Sequence, residues 1–233
     1  MTERRDVWAW IALFAAALSV YLIALGNAPV TDAESKYAEA PREMLVLNDW
    51  LTPHYNYVRY LSKPPLAFWV SAGVYRAFGA NEFTARLPGT LAGIAVGALI
   101  GAFGTTFFGR RTGWLAAFTW LTTALVFVFS RDAGLEFWLV LFMGLALYGF
   151  VRGLEDGRWL YAAYVGMALG FLVKGPMGVL WPLVSVFLWL ALTGKWSERR
   201  RLWHARPFLV FALLALPWPV ISSNVNVPPA FMT

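Results

Sequence analysis

Charged side chains gather in three short segments, each at one end of an apolar run. The segments are 32–39 (DAESKYAE), 131–136 (RDAGLE) and 174–176 (KGP). If the apolar runs are packed helices, these ends can meet at one surface. Partly buried carboxylates have raised pKa values and act as general bases, and cations beside them bind phosphate. The pattern therefore predicts a site that combines a general base with a phosphate-binding cation.

Each of these residues also has an ordinary structural interpretation. Arg131 and Lys174 could extend along a helix end to reach the membrane surface, and Asp32 could cap a helix. Lys63 precedes Pro64 and Pro65, and a residue before proline is held extended, which would aim its ammonium reproducibly. Taken by itself, Lys63 is better interpreted as a solvated turn lysine. The three segments together favour a functional site.

The elements that position these residues must lie in a membrane. The chain of 233 residues is 59% hydrophobic and 14% charged, with a mean hydropathy of +0.58, whereas soluble domains are about 45–50% apolar and about 25% charged. Its 13 Trp and 18 Phe suit interfacial anchors. No cysteine is present, which excludes a disulfide framework, a thiolate zinc site and a cysteine nucleophile.

The apolar stretches have the length of membrane spans. Spans are predicted at 7–26, 87–108, 112–130, 135–152, 159–173, 177–193 and 207–223. They lack the alternation of barrel strands, so they must be helices to satisfy their backbone in lipid. The first run exceeds the ~7–15 apolar residues of a signal peptide, and we interpret it as an uncleaved span. The predicted fold class is all-α, a polytopic transmembrane helical bundle of about seven spans.

Charge predicts the orientation of the bundle. With a cytoplasmic N-terminus, the short inner loops are almost purely basic, as the positive-inside rule expects; they hold Arg4, Arg5, Arg110, Arg111, Arg152, Arg158 and five more cations between 195 and 206. This placement explains the net charge of +6 without a nucleic-acid partner. The opposite side carries mixed charge, which marks a functional cavity. We expect an integral protein of a bacterial inner (plasma) membrane with its active face extracytoplasmic.

The first outer loop, about 27–86, is long and carries two predicted interfacial helices. One covers 37–47, and Pro41 inside it predicts a kink. The other begins after Pro64 and Pro65 and includes 66–70, with proline near its start.

Several strings in this loop and beyond resemble the aminoarabinose transferase and protein O-mannosyltransferase families. The strings are 37–39 (YAE), 42–44 (REM), 49–53 (DWLTP), 63–66 (KPPL), 85–88 (ARLP), 172–176 (LVKGP) and 216–218 (LPW). They keep their order and spacing over nearly the whole chain. The resemblance implies the GT-C membrane fold and inverting transfer of a sugar from a polyprenyl-phosphate donor to a lipid or protein acceptor outside the cytoplasm. In the aminoarabinose branch the acceptor is lipid A.

The resemblance also implies roles for residues. An outer-loop carboxylate lies near the acceptor hydroxyl, and a cation, here Lys63, lies near the donor phosphate, while the lipid tail occupies a groove between spans. The catalytic candidates are therefore Asp32 or Glu34 as the base, with Glu136 and Asp132 in support. The substrate-binding candidates are Lys63, Arg59, Arg86 and Lys174 for phosphate, together with Tyr37 and Glu39.

This chain departs from the family pattern at three places. The usual Asp-Glu pair before Tyr-Ala-Glu reads Ala33-Glu34, with Asp32 one place earlier, so the identity of the base stays open. The residue before the lysine is often a metal-touching Glu and is Ser62 here; no metal ligand is assigned, and a divalent metal is left open as the only possible cofactor. Glu136 occupies the place of a usual Asp, which makes Asp132 an extra acid.

Family enzymes have more spans and a C-terminal outer domain. We expect residues 1–233 to form one transmembrane glycosyltransferase-like domain without that outer domain, as a fragment, a short relative or half of a complex. The main alternative to a transferase is a non-catalytic or partner-dependent subunit that binds polyprenyl phosphate. A transporter fits less well, because the charges lie at one face and not at the bilayer midplane. In every case membrane lipid is a partner.

Overall fold

The computed structural model describes residues 2–225, with side chains from Val7 onward except that of Asn224. The helices are α1 (Thr2–Leu22), α2 (Asp32–Leu47), α3 (Leu66–Phe78), α4 (Glu82–Phe108), α5 (Arg110–Thr122), α6 (Ala124–Ser130), α7 (Glu136–Gly153), α8 (Trp159–Lys174), α9 (Met177–Leu192), α10 (Ala205–Ala215) and α11 (Pro217–Val225). A 3₁₀ helix covers Trp196–Leu202, and two short strands are β1 (His54–Tyr55) and β2 (Val58–Arg59).

The predicted helical membrane bundle is confirmed, since each predicted span is mainly helical, although residues 23–26 of the first form a turn. Within residues 2–225, three helical segments are long and apolar enough to cross a membrane alone, and the bent pair α5–α6 makes a fourth. The three are Glu82–Phe108, Glu136–Gly153 and Ala205–Ser223. Shorter apolar helices cover Val7–Leu22, Trp159–Lys174 and Met177–Leu192.

Two predicted spans are broken. Residues 112–130 form α5 and α6, which meet at an angle of 61°. Thr123 leaves the helical conformation there (φ −70°, ψ 121°), and the hydroxyls of Thr122 and Thr123 donate to carbonyls four residues earlier, a pattern that bends helices. The last span is interrupted at Leu216, before Pro217, whose nitrogen has no hydrogen to donate.

Small residues let the spans approach closely, as is usual in lipid. At the α7–α8 crossing, a Cβ added to Gly166 would lie 2.7 Å from the backbone nitrogen of Ala146 and 2.7 Å from the carbonyl oxygen of Phe142. At the α4–α5 crossing, a Cβ on Gly104 would lie 2.7 Å from the Cα of Gly113. Backbone therefore touches backbone at both crossings.

The connector between α1 and α4 holds the two interfacial helices. Helix α2 begins at Asp32, five residues before the predicted start, because Thr31 and Glu34 form a capping box. It continues through Pro41, which is buried inside it; the kink predicted at Pro41 stays a prediction. Helix α3 extends past the predicted 66–70 to Phe78. The two helices pack through a cluster of Ala40, Met44 and Phe68.

An antiparallel hairpin between these helices was not predicted. It pairs His54 with Arg59 and Tyr55 with Val58. Both turn residues, Asn56 and Tyr57, have positive φ angles of 54° and 60°, as a tight two-residue hairpin requires. Glu43 of α2 stabilises this turn, because its Oε2 accepts a hydrogen bond of 2.9 Å from the backbone nitrogen of Tyr57.

The bundle has two ends of different character. At the first, which we call the site face, α1 ends, α4 and α7 begin and α8 ends, beneath the connector. At the second, the basic face, α4 is followed by α5, α7 by α8 and α9 by the 3₁₀ helix. The basic face carries Arg110, Arg111, Arg152, Arg158, Lys195, Arg199, Arg200 and Arg201.

Candidate active site on the site face

A buried ion pair joins α2 to α4 at the centre of the site face. Nε of Arg86 donates to Oε1 of Glu34 at 2.8 Å and Nη2 to Oε2 at 3.0 Å. The guanidinium also donates to the carbonyls of Leu25, Ala28 and Pro29 at 2.8–3.0 Å. Arginine has five N–H donors, and these five hydrogen bonds occupy all of them. Arg86 thereby fixes the path of the chain between α1 and α2.

The Glu34 carboxylate is equally occupied. Besides Arg86, it accepts hydrogen bonds from the backbone nitrogen and the hydroxyl of Thr31, both at 3.0 Å, and from the backbone nitrogen of Ala133 at 3.2 Å. Burial acts to raise the pKa of Glu34, but the hydrogen bonds from Arg86, Thr31 and Ala133 outweigh it and lower the pKa to about 2. Glu34 is therefore an ionised, buried tie between α2, α4 and the α6–α7 connector.

Asp132 lies beside this pair on the α6–α7 connector. Burial raises its pKa, and the charge and hydrogen bond of Glu34 and the charge of Glu136 raise it further, against a smaller opposing effect of Arg86. Its Oδ1 is buried without a hydrogen-bond partner among the described residues. Asp132 is consequently a carboxyl group that holds its proton more firmly than an exposed aspartate does.

A second ion pair joins the start of α7 to the end of α8. Nζ of Lys174 lies 3.2 Å from Oε1 of Glu136, and the side chains are 28% and 62% exposed. Tyr37 of α2 completes the cluster. Burial raises the pKa of Tyr37, and the charges of Tyr60, Glu136 and Asp132 add to the effect. The structure thus gathers six predicted residues in what we call the site cluster: Glu34, Tyr37, Arg86, Asp132, Glu136 and Lys174.

Lys63 and Arg59 lie in the part of the connector between α2 and α3. Lys63 is half-buried and Arg59 is exposed, and neither forms an ion pair with any described residue. Lys63 is three residues before Leu66, which packs with Ala67 against Leu135 and Val173. The start of α3 is therefore anchored at the ends of α7 and α8 that carry Glu136 and Lys174.

Asp32 and Glu39 occupy another face of α2. Asp32 is exposed in the first helical turn, and Glu39 accepts a hydrogen bond of 2.8 Å from Nε of Arg42. Glu39 and Arg42 line a polar groove of 470 Å³, here called the α2 groove, together with Val30, Ser35, Ala38, Tyr55, Asn56, Tyr75, Ala80, Asn81, Glu82 and Ala85. Its lining offers carboxylate, guanidinium, amide and phenol groups.

Sequence reasoning missed the residues that hold these candidates in place. Thr31 positions Glu34, and its signal was present, because Thr31-x-x-Glu34 has the spacing of a capping box. Arg42 and Tyr55 of the α2 groove carried no comparable signal, since Tyr55 reaches the groove only through the hairpin. Among the described residues, no group of three or more His, Asp or Glu side chains is arranged to hold a metal ion.

Comparison with known proteins agrees with this architecture. An undecaprenyl phosphate-alpha-4-amino-4-deoxy-L-arabinose arabinosyl transferase 1 of Proteus mirabilis is 30% identical over 98% of this chain and 42% of its own length. An uncharacterized protein of Aquifex aeolicus is 32% identical over 84% of this chain and 40% of its own. The chain therefore spans about two fifths of the length of these relatives.

Two solved structures share the fold. ArnT from Cupriavidus metallidurans in the apo state matches with a TM-score of 0.88 and 28% identity over 94% of this chain and 43% of ArnT. The same protein bound to undecaprenyl phosphate matches with a TM-score of 0.84 and 30% identity, over 93% and 42% of the two chains. Residues 62–221 match the family model described as dolichyl-phosphate-mannose-protein mannosyltransferase. The resemblance seen in the sequence is thereby confirmed, and the chain belongs to this mannosyltransferase family, built on the GT-C membrane fold.

Proposed function

We propose that residues 1–233 form the membrane part of an inverting glycosyltransferase that moves a sugar from a polyprenyl-phosphate donor to a lipid or protein acceptor. The site cluster carries the proposal, because it gathers carboxylates and cations from α2, α4, α7 and α8 at one membrane surface. Supporting it, the ArnT structure of similar fold is titled as bound to undecaprenyl phosphate. We place the protein in a bacterial inner membrane, with the site face extracytoplasmic.

The geometry divides the charged residues into two groups. Glu34 and Arg86 form their hydrogen bonds with each other, with the Thr31 hydroxyl and with backbone groups, so we assign them to hold the start of α2. Lys63, Lys174 and Arg59 have N–H groups that can bind a ligand. We assign them to the phosphate of the sugar donor, which gains negative charge as it leaves. No residue is assigned to a metal.

Asp32 is then the better candidate for the base, since it is exposed at the start of α2. In the proposed step its carboxylate takes the proton of the acceptor hydroxyl. The hydroxyl oxygen bonds to the anomeric carbon from the side opposite the phosphate, and polyprenyl phosphate leaves with the electron pair of the broken bond. Attack from the opposite side inverts the anomeric centre.

The α2 groove is our candidate for the acceptor. Asp32, Ser35, Glu39 and Arg42 follow one another at helical spacing along one face of α2. The groove therefore continues from the proposed base, and its polar lining suits hydroxyl and phosphate groups. We expect Glu39→Gln combined with Arg42→Gln to raise the KM for the acceptor while the KM for the donor stays unchanged.

Transfer and binding assays on the reconstituted protein test the proposal. Asp32→Asn should lower the transfer rate by about 10²–10⁴-fold, the usual loss of a general base, while binding of undecaprenyl phosphate persists. Lys63→Ala should weaken that binding by about tenfold or more, because it removes a charge-assisted contact. The matched controls are Glu155→Gln on the basic face and Arg76→Ala, an exposed cation of α3.

Three outcomes decide between the candidate functions. Full transfer by both Asp32→Asn and Lys63→Ala would refute the mechanism. Undecaprenyl phosphate binding without turnover by the wild type would favour the non-catalytic subunit. Uptake of a solute into proteoliposomes, with no binding of undecaprenyl phosphate, would favour a transporter.

A further inference from the structure

An apolar furrow runs along the bundle between α1 and the bent pair α5–α6. It has a volume of 440 Å³, and we call it the α1–α6 furrow. Its lining includes Ala16, Val20, Tyr21, Phe118, Ala124 and Phe127. Ala16, Val20 and Ala124 are exposed, so the furrow opens to the outside of the bundle, where lipid chains lie. Nothing in the proposed sugar transfer uses it.

The furrow suits an aliphatic chain, because its polar side chains are already hydrogen-bonded within the protein. Tyr21 and Thr122 are the two lining residues with a side-chain hydroxyl. The Tyr21 hydroxyl donates to the carbonyl of Leu121 at 3.0 Å, and the Thr122 hydroxyl donates to the carbonyl of Phe118 at 2.8 Å. The walls therefore offer an occupant mainly apolar contact.

The shape and length of the furrow match one acyl chain. Its inner wall is packed, because Tyr21 is 1% exposed and meets Phe127 edge-on with ring centroids 5.1 Å apart. Leu13 lines the furrow nearer the basic face. From Leu13 to Leu22, α1 rises by about 14 Å, close to the ~15 Å depth of one leaflet of a ~30 Å hydrocarbon core.

Arg131 lies at the end of the furrow nearest the site face. Its guanidinium carbon is 4.8 Å from the centroid of the Phe127 ring, and its Nη2 donates to the carbonyl of Ile23 at 2.7 Å. That bond uses one of five N–H donors. No carboxylate of the described residues forms an ion pair with Arg131, and the neighbouring Asp132 is hydrogen-bonded to Glu34 instead. An anionic group at the end of the furrow would complete this cation.

We propose that the α1–α6 furrow binds an anionic diacyl phospholipid from the leaflet at the site face. One acyl chain lies in the furrow, and the lipid phosphate lies against the guanidinium of Arg131. The bound lipid touches α1, α5 and α6 together, so it stabilises the docking of α1 on the bundle. This site is separate from the one proposed for the sugar donor, whose phosphate is assigned to Lys63, Lys174 and Arg59.

Native mass spectrometry of the purified full chain tests the proposal, with phosphatidylglycerol and phosphatidylcholine as probes. We expect the wild type to retain one phosphatidylglycerol in preference to phosphatidylcholine. Arg131→Gln should lower the retention of phosphatidylglycerol by about fivefold, which is the usual contribution of one cation at a membrane surface. Arg131→Lys keeps the charge and should keep the preference. The matched control is Arg76→Gln, an exposed cation of α3, which should retain the lipid like the wild type.

Filling the furrow tests the position of the acyl chain. Ala124→Phe places a ring in the furrow and should lower the retention of both lipids by about tenfold, because excluding about two methylene groups has that effect. The matched control is Ala12→Phe, at an exposed position of α1 outside the furrow, which should leave retention unchanged. Equal losses in the two variants would contradict the placement of the chain.

Three further results would overturn the proposal. The first is an equal loss in Arg131→Gln and Arg76→Gln, and the second is equal retention of both lipids by the wild type. The third is displacement of phosphatidylglycerol by millimolar inorganic phosphate, which lacks the chain, or by equimolar undecaprenyl phosphate, which would make the furrow a site for the sugar donor.

A cysteine probe distinguishes a lipid from a protein occupant, because the chain has no cysteine. Ala16→Cys should react with a lipid-soluble maleimide, and phosphatidylglycerol should slow the reaction more than phosphatidylcholine does. An unreactive Ala16→Cys would mean that protein covers the furrow, against the proposal. Thermal unfolding of each variant without added lipid reports correct folding. Added phosphatidylglycerol should raise the unfolding temperature of the wild type and of Arg76→Gln more than that of Arg131→Gln, whether or not the protein transfers sugar.

Discussion

The Glu34–Arg86 pair shows how charged residues can hold a candidate site in place through a buried ion pair. Its side chains are 4% and 6% exposed, and every donor of Arg86 has an acceptor within the protein. Breaking such a pair costs far more than its net contribution, because the remaining charge stays buried without a partner. The pair therefore ties α2, which carries Asp32 and Tyr37, to α4 and to the α6–α7 connector.

Arg86→Gln should consequently lower the free energy of unfolding by about 3 kcal/mol. The measurement is thermal or denaturant unfolding of the detergent-solubilised protein. Arg76→Gln is the control, because Arg76 is exposed in the last turn of α3 and should change stability by less than about 0.5 kcal/mol. Equal effects of the two substitutions would contradict the structural role of the pair.

The two neighbouring acids should give stability opposite dependences on pH. The pKa of Glu34 is lowered from 4.5 to about 2, so its contribution is present above pH 4.5 and is lost as the pH falls toward 2. The pKa of Asp132 is raised above 3.8. The folded protein therefore holds that proton more tightly than the unfolded chain, and this contribution is lost as the pH rises through the raised value.

Asp132→Asn should therefore change stability more favourably at pH 7 than at pH 3. Glu34→Gln should destabilise the protein more at pH 7 than at pH 3. Unfolding curves of the wild type and both variants between pH 3 and pH 8 measure these differences. Parallel pH profiles for the three proteins would show that neither carboxyl group has the environment described.

Among the elements, the close helix crossings determine how the site is assembled, because α7 and α8 carry Glu136 and Lys174. Gly166 of α8 is one of the points at which the backbones of α7 and α8 approach closely. Gly166→Ala should cost about 1–3 kcal/mol, the usual cost of overpacking, and should weaken the Glu136–Lys174 contact. Gly73→Ala is the matched control, because no atom lies within 4 Å of the added Cβ in α3.

Gly73→Ala should be neutral or stabilising by up to about 1 kcal/mol, because alanine favours helix more than glycine does. Thermal unfolding of both variants checks the pair. A loss of stability at Gly73 as large as at Gly166 would contradict the attribution of the cost at Gly166 to contact at the helix crossing.

Most elements could be predicted from the sequence, because length and apolarity suffice to identify spans. The break at Thr123 could not be predicted, because α5 and α6 together are apolar enough to be taken for one continuous span. The hairpin was missed for a different reason. Its turn needs positive φ at Tyr57, which a tertiary hydrogen bond from Tyr57 to Glu43 supports. The start of α2 was predictable, because Thr31 and Glu34 carry a capping-box spacing.

Of the site, the residue types could be predicted and the pairings could not. The segments with Asp132, Glu136 and Lys174 do converge, as their positions at span ends indicated. Glu34 and Arg86 are 52 residues apart, and no pattern in the sequence distinguishes this pairing from one with Lys63 or Arg59. Whether a carboxylate is free for chemistry depends on such pairings, so the sequence alone left the base open between Asp32 and Glu34.

At the scale of the whole molecule, the two faces predict an orientation in the membrane. The basic face should be cytoplasmic, because arginine-rich loops remain inside. In intact cells, Ser62→Cys on the exposed connector should react with a membrane-impermeant maleimide. Arg200→Cys on the basic face should react only after permeabilisation. The reverse labelling pattern would place the proposed active site in the cytoplasm.

The brevity of α8 and α9 has a consequence for the surrounding bilayer. Each has 16 residues and so rises by about 24 Å, less than the ~30 Å of an average hydrocarbon core. Tilting would shorten their projected length further, and local thinning of the bilayer is one way in which such a mismatch is relieved. Thinning would draw headgroups inward around Lys174, so under the proposed function a lipid-linked phosphate would meet the ammonium without leaving its leaflet.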